Sequence, residues 1–328
     1  MIEALHETAR AMVSRPRGIL AADESIGTMS SRLEKAGVPV SAENRRAYRQ
    51  MLLTTPDLHR GISGVILSDE TFNQRLEDGQ DFPLALHALN ILPGIKVDTG
   101  AKDLAFSPGE KVTEGLDGLR ERLKDYVSRG ARFAKWRAVI AIGEGRPTER
   151  ALRANAHALG RYAALCQESV VVPIVEPEVL MDGDHTIGRC AEVTRATLEH
   201  VLAELDEAGV DLAGTVLKPN MVVPGKKSGQ QASPEEVAEA TVSVLRAALP
   251  DSLAGVAFLS GGQSPEEATA NLAAMQKHDT PWPLTFSFGR ALVDPALKAW
   301  HGEASLIKEG QQALFSRVEP NSAVLVNA

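Results

Sequence analysis

The chain is 328 residues long, 44% apolar, and carries 43 acidic against 35 basic side chains for a formal charge of −8. An acidic surface argues against broad binding to nucleic acid or anionic membranes, while leaving room for a local basic cleft that takes a small phosphorylated substrate. The two cysteines, Cys166 and Cys190, sit among apolar neighbours without metal-ligand spacing, so they read as small buried hydrophobes and imply no disulfide framework.

The N-terminal stretch carries Glu3, His6, Glu7 and Arg10 and lacks the apolar core of a signal peptide. No run of about 18 apolar residues occurs, so no membrane span is expected and the cytoplasm is the expected location. Eight short apolar runs follow: GILAAD (18–23), ISGVIL (62–67), GIKVD (94–98), RFAKWR (132–137), VVPIVE (171–176), LAGTVLK (212–218), GVAFLS (255–260) and LTFSFG (284–289). Their ends are spaced roughly 30–45 residues apart, the room that a strand, a helix and two loops need. Helices are predicted over 148–168, 187–208 and 295–315. In the second, Ile187, Cys190, Ala191, Thr194, Leu198, Val201, Leu202 and Leu205 share one face, and Gly209 stops it. Two more helices open on the same letters, Ser233-Pro234-Glu235-Glu236 and Ser264-Pro265-Glu266-Glu267, each a capping box with proline at the first turn. The polar stretches 77–81 and 224–232 are loop-sized, and no linker divides the chain. Eight strands in one unit predict a single closed (β/α)8 barrel over 1–328. A doubly wound, two-domain arrangement lacks its glycine fingerprint after the first strand.

In such a barrel the site lies at the C-terminal ends of the strands. The residues there are Asp23, Lys96 with Asp98, Lys135 with Arg137, Glu176, Lys218, Ser260 and Arg290. Buried charges are tolerated when paired or functional, so this convergence predicts a site. Alternation sets Lys135 and Arg137 inside the barrel, and Ala134 and Trp136 against the helices. Lys218 ends a β-branched run, where loss of water exposes an amine able to attack a carbonyl. By itself such a lysine is more often a stem packed on a strand with its head in solvent. Glu176 beside two lysines suits a general acid and base, or an ion-pair partner, or both. The SGGQS loop, with Gly261 and Gly262, precedes a helix start and suits a phosphate, and Arg290 adds a forked cation after the last strand. Asp182 and Asp184 sit in a loop that lacks the later ligands of a calcium hand, and the histidines show no paired spacing, so no metal site is expected.

The segments GILAADES (18–25), ISGVILSDETF (62–72), GIKVD (94–98), FAKWR (133–137), VPIVEPE (172–178), LKPNM (217–221), FLSGGQS (258–264), LTFSFGRAL (284–292) and LKAW (297–300) together resemble class I fructose-1,6-bisphosphate aldolase, in order from Gly18 to Trp300. The resemblance implies that Lys218 forms a Schiff base with a ketose bisphosphate, with no metal or other cofactor. Glu176 would dehydrate the carbinolamine, and Asp23 would take the C4 hydroxyl proton. Lys135 would keep Lys218 deprotonated and touch substrate hydroxyls. Lys96, Arg137 and Glu178 would shape the pocket. Ser260, Gly261, Gly262, Gly289 and Arg290 would hold the ketone-side phosphate, and Ser25, Thr28 and Arg32 the other one. The products would be two triose phosphates, and the assembly a homotetramer.

Two departures stand out. Many family members carry a tail ending in tyrosine, whereas the sequence stops at Asn327-Ala328 and its tyrosines are Tyr48, Tyr126 and Tyr162. Glu176, water or another side chain is then expected to protonate the enamine. Phe288 stands where the family often has tyrosine, removing a hydroxyl near the phosphate pocket. Two rivals remain: the same chemistry on sedoheptulose or tagatose bisphosphate, and a phosphosugar-binding barrel without catalysis, against which the intact Lys218, Glu176, Asp23 and Lys135 argue.

Overall fold

The structure, a computed structural model, describes residues 2–326. Eight parallel strands close on themselves: β1 (Gly18–Ala22), β2 (Ile62–Leu67), β3 (Leu92–Lys96), β4 (Phe133–Ile140), β5 (Val172–Val179), β6 (Val216–Leu217), β7 (Gly255–Phe258) and β8 (Leu284–Phe288). Each strand pairs with its neighbour in sequence, and β1 pairs with β8 to shut the cylinder. Asn327 and Ala328, where the tail was at issue, lie outside the described residues. Among those described, no helix is long and apolar enough to cross a membrane.

Strand alternation creates two cores. Ile19, Ala21, Ile66, Phe133, Ile174, Val216 and Ala257 fill the barrel, and Leu5, Ala9 and Met12 of the helix Ile2–Met12 plug one end. The ring of Phe133 lies where a Cβ on Gly94 would come within 2.2 Å, so this neighbour must be glycine for the floor to close. Outside, Ala134 and Trp136 join the larger core between strands and helices. Trp136 packs on Tyr162 of the helix Glu149–Glu168 with ring centroids 5.5 Å apart. The predicted inward and outward faces of β4 are thus observed.

The helices Glu149–Glu168 and Ile187–Glu207 match their apolar periodicity. Both predicted capping boxes form, at Ser233 with Glu236 and at Ser264 with Glu267. Three segments depart from expectation. Residues 212–214 form a short 3-10 turn, because the Asp211 carboxylate accepts the Ala213 N–H at 3.0 Å, so β6 is only two residues long. The span 295–315 is divided: Arg290–Trp300 ends at His301 and Gly302, both at positive φ, and a new helix runs Ile307–Val326. Between β3 and β4 a hairpin, Gly100–Asp103 with Lys111–Glu114, was not anticipated. Its Thr113 hydroxyl donates to the Arg137 carbonyl at 2.7 Å, which ties it to the top of β4.

Candidate active site

A cleft of about 890 Å³ opens at the C-terminal end of the barrel. Its floor carries charge because Asp23 and Lys218 directly follow β1 and β6 while Lys135 and Glu176 lie on the inner faces of β4 and β5. Lys218 follows β6 directly, and its N–H still bonds the Val175 carbonyl at 2.8 Å, so the side chain leaves from a fixed backbone. Its Nζ stands 3.1 Å from Glu176 Oε1, while the other carboxylate oxygen stands 3.1 Å from Lys135 Nζ. Lys135 reaches Asp23 at 2.7 Å on its far side. Lys218, Glu176, Lys135 and Asp23 thus form one chain in which lysine and carboxylate alternate, each at most 9% exposed. Glu176 Oε2 makes no hydrogen bond despite the nearby ammonium, so this buried oxygen keeps a lone pair to offer.

Electrostatics separates the members. Burial pushes the Asp23 carboxyl up, but the ammonium groups of Lys135, Lys218 and Lys96 outweigh it and hold it at about 2. Burial likewise pushes Glu176 up, and Lys135, Lys218 and Arg137 leave it below the usual carboxylate range. Burial disfavours the Lys135 cation, yet Asp23, Glu176 and Asp98 raise its pKa well above that of a free lysine. Lys135 is therefore a fixed cation. Arg137 pairs with Glu178 at 2.5 Å on the rim.

The wall at β7 and β8 suits an anion. Ser260, Gly261, Gly289 and Arg290 all line it. Gly261 adopts φ +59, a conformation costly for other residues, and its carbonyl accepts from Arg290 Nη2. The helix Arg290–Trp300 starts at Gly289 with no side-chain cap, so its first N–H groups are open to a bound anion. The helix Pro265–Met275 behaves differently. Its N1 residue is proline, and Ser264 already caps the Glu267 N–H. The free helix terminus expected after the SGGQS loop therefore lies after β8 instead.

Several expected residues stand elsewhere. Gly262 turns to a neighbouring groove, with its N–H toward Met181 Sδ at 3.2 Å and Lys226 packed over it. Ser25 caps the helix Ile26–Lys35 and is not on the cleft wall, although Thr28 and Arg32 are. Lys96 does not line the cleft; in register with Lys135, it stands 2.8 Å from Asp98, and its charge acts on Asp23. Phe288 is fully buried in the outer core and packs on Phe286, so a hydroxyl there would not face the cleft.

Reading the sequence missed Ser287, Glu24, Asp294, Lys35 and Lys298, all of which line the cleft. Ser287 was accessible in principle: alternation with Phe286 and Phe288 sets it inside, and its buried hydroxyl makes no hydrogen bond. Lys35, Asp294 and Lys298 depend on how two helices pack, which periodicity does not report, and Glu24 follows β1 in a loop. Among the described residues no group of His, Cys, Asp and Glu is arranged to hold a metal ion.

The fold and the cleft define a (β/α)8 barrel enzyme with a buried amine beside a carboxylate and a wall whose groups suit an anion. Comparison with known proteins agrees. The family model described as "Glycolytic: Fructose-bisphosphate aldolase class-I" matches residues 4–327. The chain is 54% identical over 322 residues, 98% of itself and 96% of the relative, to a "probable fructose-bisphosphate aldolase class 1" of Xanthomonas campestris. It is 49% identical over 320 residues, 97% of itself and 89% of the relative, to "fructose-bisphosphate aldolase 5, cytosolic" of Arabidopsis thaliana. A solved Plasmodium falciparum fructose-bisphosphate aldolase, in complex with TRAP and a small-molecule inhibitor, superposes with a TM-score of 0.97 at 45% identity, covering 98% of this chain and 94% of that one. The chain belongs to the class-I fructose-bisphosphate aldolase family, whose members are lyases.

Proposed function

We propose that Lys218 is the amine that forms the Schiff base during reversible cleavage of fructose 1,6-bisphosphate to dihydroxyacetone phosphate and glyceraldehyde 3-phosphate. The observation that carries this is the position of Glu176, whose two oxygens each stand 3.1 Å from a lysine, Lys218 on one side and Lys135 on the other. The Lys218 amine adds to the C2 carbonyl. Glu176 takes the proton released from nitrogen and returns it to the C2 hydroxyl, which leaves as water. The resulting protonated imine is an electron sink. Asp23 accepts the C4 hydroxyl proton, the C3–C4 electron pair flows to the imine nitrogen, and the aldehyde product departs. Protonation of the enamine at C3 and hydrolysis then free the second triose and Lys218. Glu176, water or another side chain delivers that C3 proton, and nothing in the sequence calls for a metal. Lys135, a fixed cation between Asp23 and Glu176, keeps both carboxylates ionised.

Ser260, Gly261, Gly289, Arg290 and Ser287 hold the ketone-side phosphate, supported by the uncapped helix start and the unpartnered Ser287 hydroxyl. Thr28 and Arg32 meet the other phosphate on the wall after β1. Arg137 and Glu178 shape the rim. The chain acts as one domain, in the cytoplasm, and the family resemblance adds a homotetramer, which sedimentation velocity tests. Relatives named as cytosolic support the location.

The test is reductive trapping. The protein is incubated with fructose 1,6-bisphosphate and a chelator, reduced with borohydride, and mapped by peptide mass spectrometry. A stable adduct on Lys218 is expected. An adduct on another lysine overturns the assignment, and none at all favours a binding protein.

A further inference from the structure

The cations of the cleft fall into two groups. Lys135, Lys218, Arg137 and Arg32 are each held by a carboxylate. Among the described residues on the wall, Lys35, Arg290 and Lys298 are in no ion pair. Arg32 is the exception within the held group, because the proposed chemistry needs the other three where they are, whereas Arg32 is neutralised at both ends. Its Nη1 bonds Glu24 Oε1, and its Nη2 stands 2.5 Å from Asp294 Oδ1.

The two carboxylates differ in kind. Glu24 is built in: Arg49, 1% exposed, donates to its other oxygen at 2.9 Å and to the Ala22 carbonyl at 2.8 Å, which anchors it to the end of β1. Asp294 comes from a different helix, Arg290–Trp300, and its side chain is 46% exposed. Glu24 alone keeps Arg32 aimed. Asp294 adds a negative charge to the cleft wall and occupies the edge of the guanidinium fork that a phosphate would use.

We propose that Asp294 is a specificity-determining positioning residue, which withholds Arg32 from the substrate's second phosphate and so weakens the preference for bisphosphates over monophosphates. The proposal rests on the placement of the two phosphates given under Proposed function. Replacing Asp294 frees one donor edge and removes a like charge from beside the phosphate. A partly exposed interaction of this kind is worth roughly fivefold in affinity.

The experiment compares the whole enzyme with Asp294→Ala and Asp294→Asn, each alone and combined with Arg32→Ala. KM and kcat are measured for fructose 1,6-bisphosphate and fructose 1-phosphate. Dissociation constants are measured by calorimetry for the unreactive hexitol 1,6-bisphosphate and hexitol 1-phosphate, and thermal melts report folding. The expected result is a bisphosphate KM lowered about fivefold by Asp294→Ala and less by Asp294→Asn, with the monophosphate KM little changed and the gain abolished by Arg32→Ala. Equal gains on both ligands overturn the proposal, since Arg32 then serves the first phosphate. An unchanged or raised bisphosphate KM also overturns it, since Asp294 then only ties two helices together. If the wild type cleaves neither sugar, the reaction reading fails separately, and the hexitol constants decide the present proposal by the same criterion.

Discussion

Glu176 touches Lys218 with one oxygen and Lys135 with the other, so one buried carboxylate contacts the amine proposed to form the Schiff base and a permanent cation at once. Glu176→Gln keeps the shape but cannot carry a proton. Its kcat is expected to fall by roughly 10²–10⁴, the usual contribution of a general acid–base group, while the borohydride adduct still forms slowly. Steady-state kinetics beside trapping checks both halves. Lys218→Ala removes the adduct altogether while the circular dichroism spectrum stays that of the folded chain; cleavage at the wild-type rate would sink the assignment. Asp23 offers a prediction in pH. Its folded pKa is depressed from the ordinary 3.8 to about 2, so its ionisation stabilises the fold above pH 4 and that stabilisation is lost as pH falls toward 2. Asp23→Asn leaves Lys135 short of one partner in a buried site, a loss of about 3 kcal/mol at neutral pH. The difference in stability between wild type and variant is expected to shrink between pH 4 and 2. Denaturant melts across that window read it directly.

At the scale of elements, the strands were legible because apolar runs and βα spacing report burial on both faces of a parallel sheet. The Lys135–Trp136–Arg137 alternation was legible for the same reason. The hairpin Gly100–Asp103 with Lys111–Glu114 was not, because most of its residues are polar and solvent-facing and give no period-two signal. The break inside 295–315 was hidden since both flanking helices continue an apolar pattern, and only the positive φ at His301 and Gly302 divides them. Ser25 and Gly262 show a further limit: a residue at a strand end can be used up by a local cap or turn before it reaches the cleft. Two predictions belong here. Gly94→Ala places a methyl against the Phe133 ring and is expected to cost about 1–3 kcal/mol, as overpacking does. Ser233→Ala breaks a capping box away from the cleft and is expected to cost about 1 kcal/mol with kcat unmoved. Melting curves and kinetics on the same preparations check both.

At the scale of the molecule, a net charge of −8 surrounds a cleft whose free charges, Lys35, Arg290 and Lys298, are positive. Surface charges are screened beyond about 10 Å at 0.1 M salt, so added salt weakens capture of a phosphorylated sugar more than it disturbs the buried Lys218–Glu176–Lys135–Asp23 chain. The bisphosphate KM is therefore expected to rise with ionic strength while kcat holds, and preincubation with a chelator is expected to change neither. The cleft also straddles the seam at which β1 meets β8. Ile19 is in register with Ser287, and the Thr285 hydroxyl donates to the Arg17 carbonyl 268 residues away in sequence. Thr28, Arg32 and Lys35 come from the first strand's helix, and Arg290, Asp294 and Lys298 from the last. Pairing strands so far apart in sequence costs loop-closure entropy before the contacts offset it. During synthesis almost all of the chain must leave the ribosome before the wall shared by the first and last strands can assemble, so a partly made molecule lacks that wall.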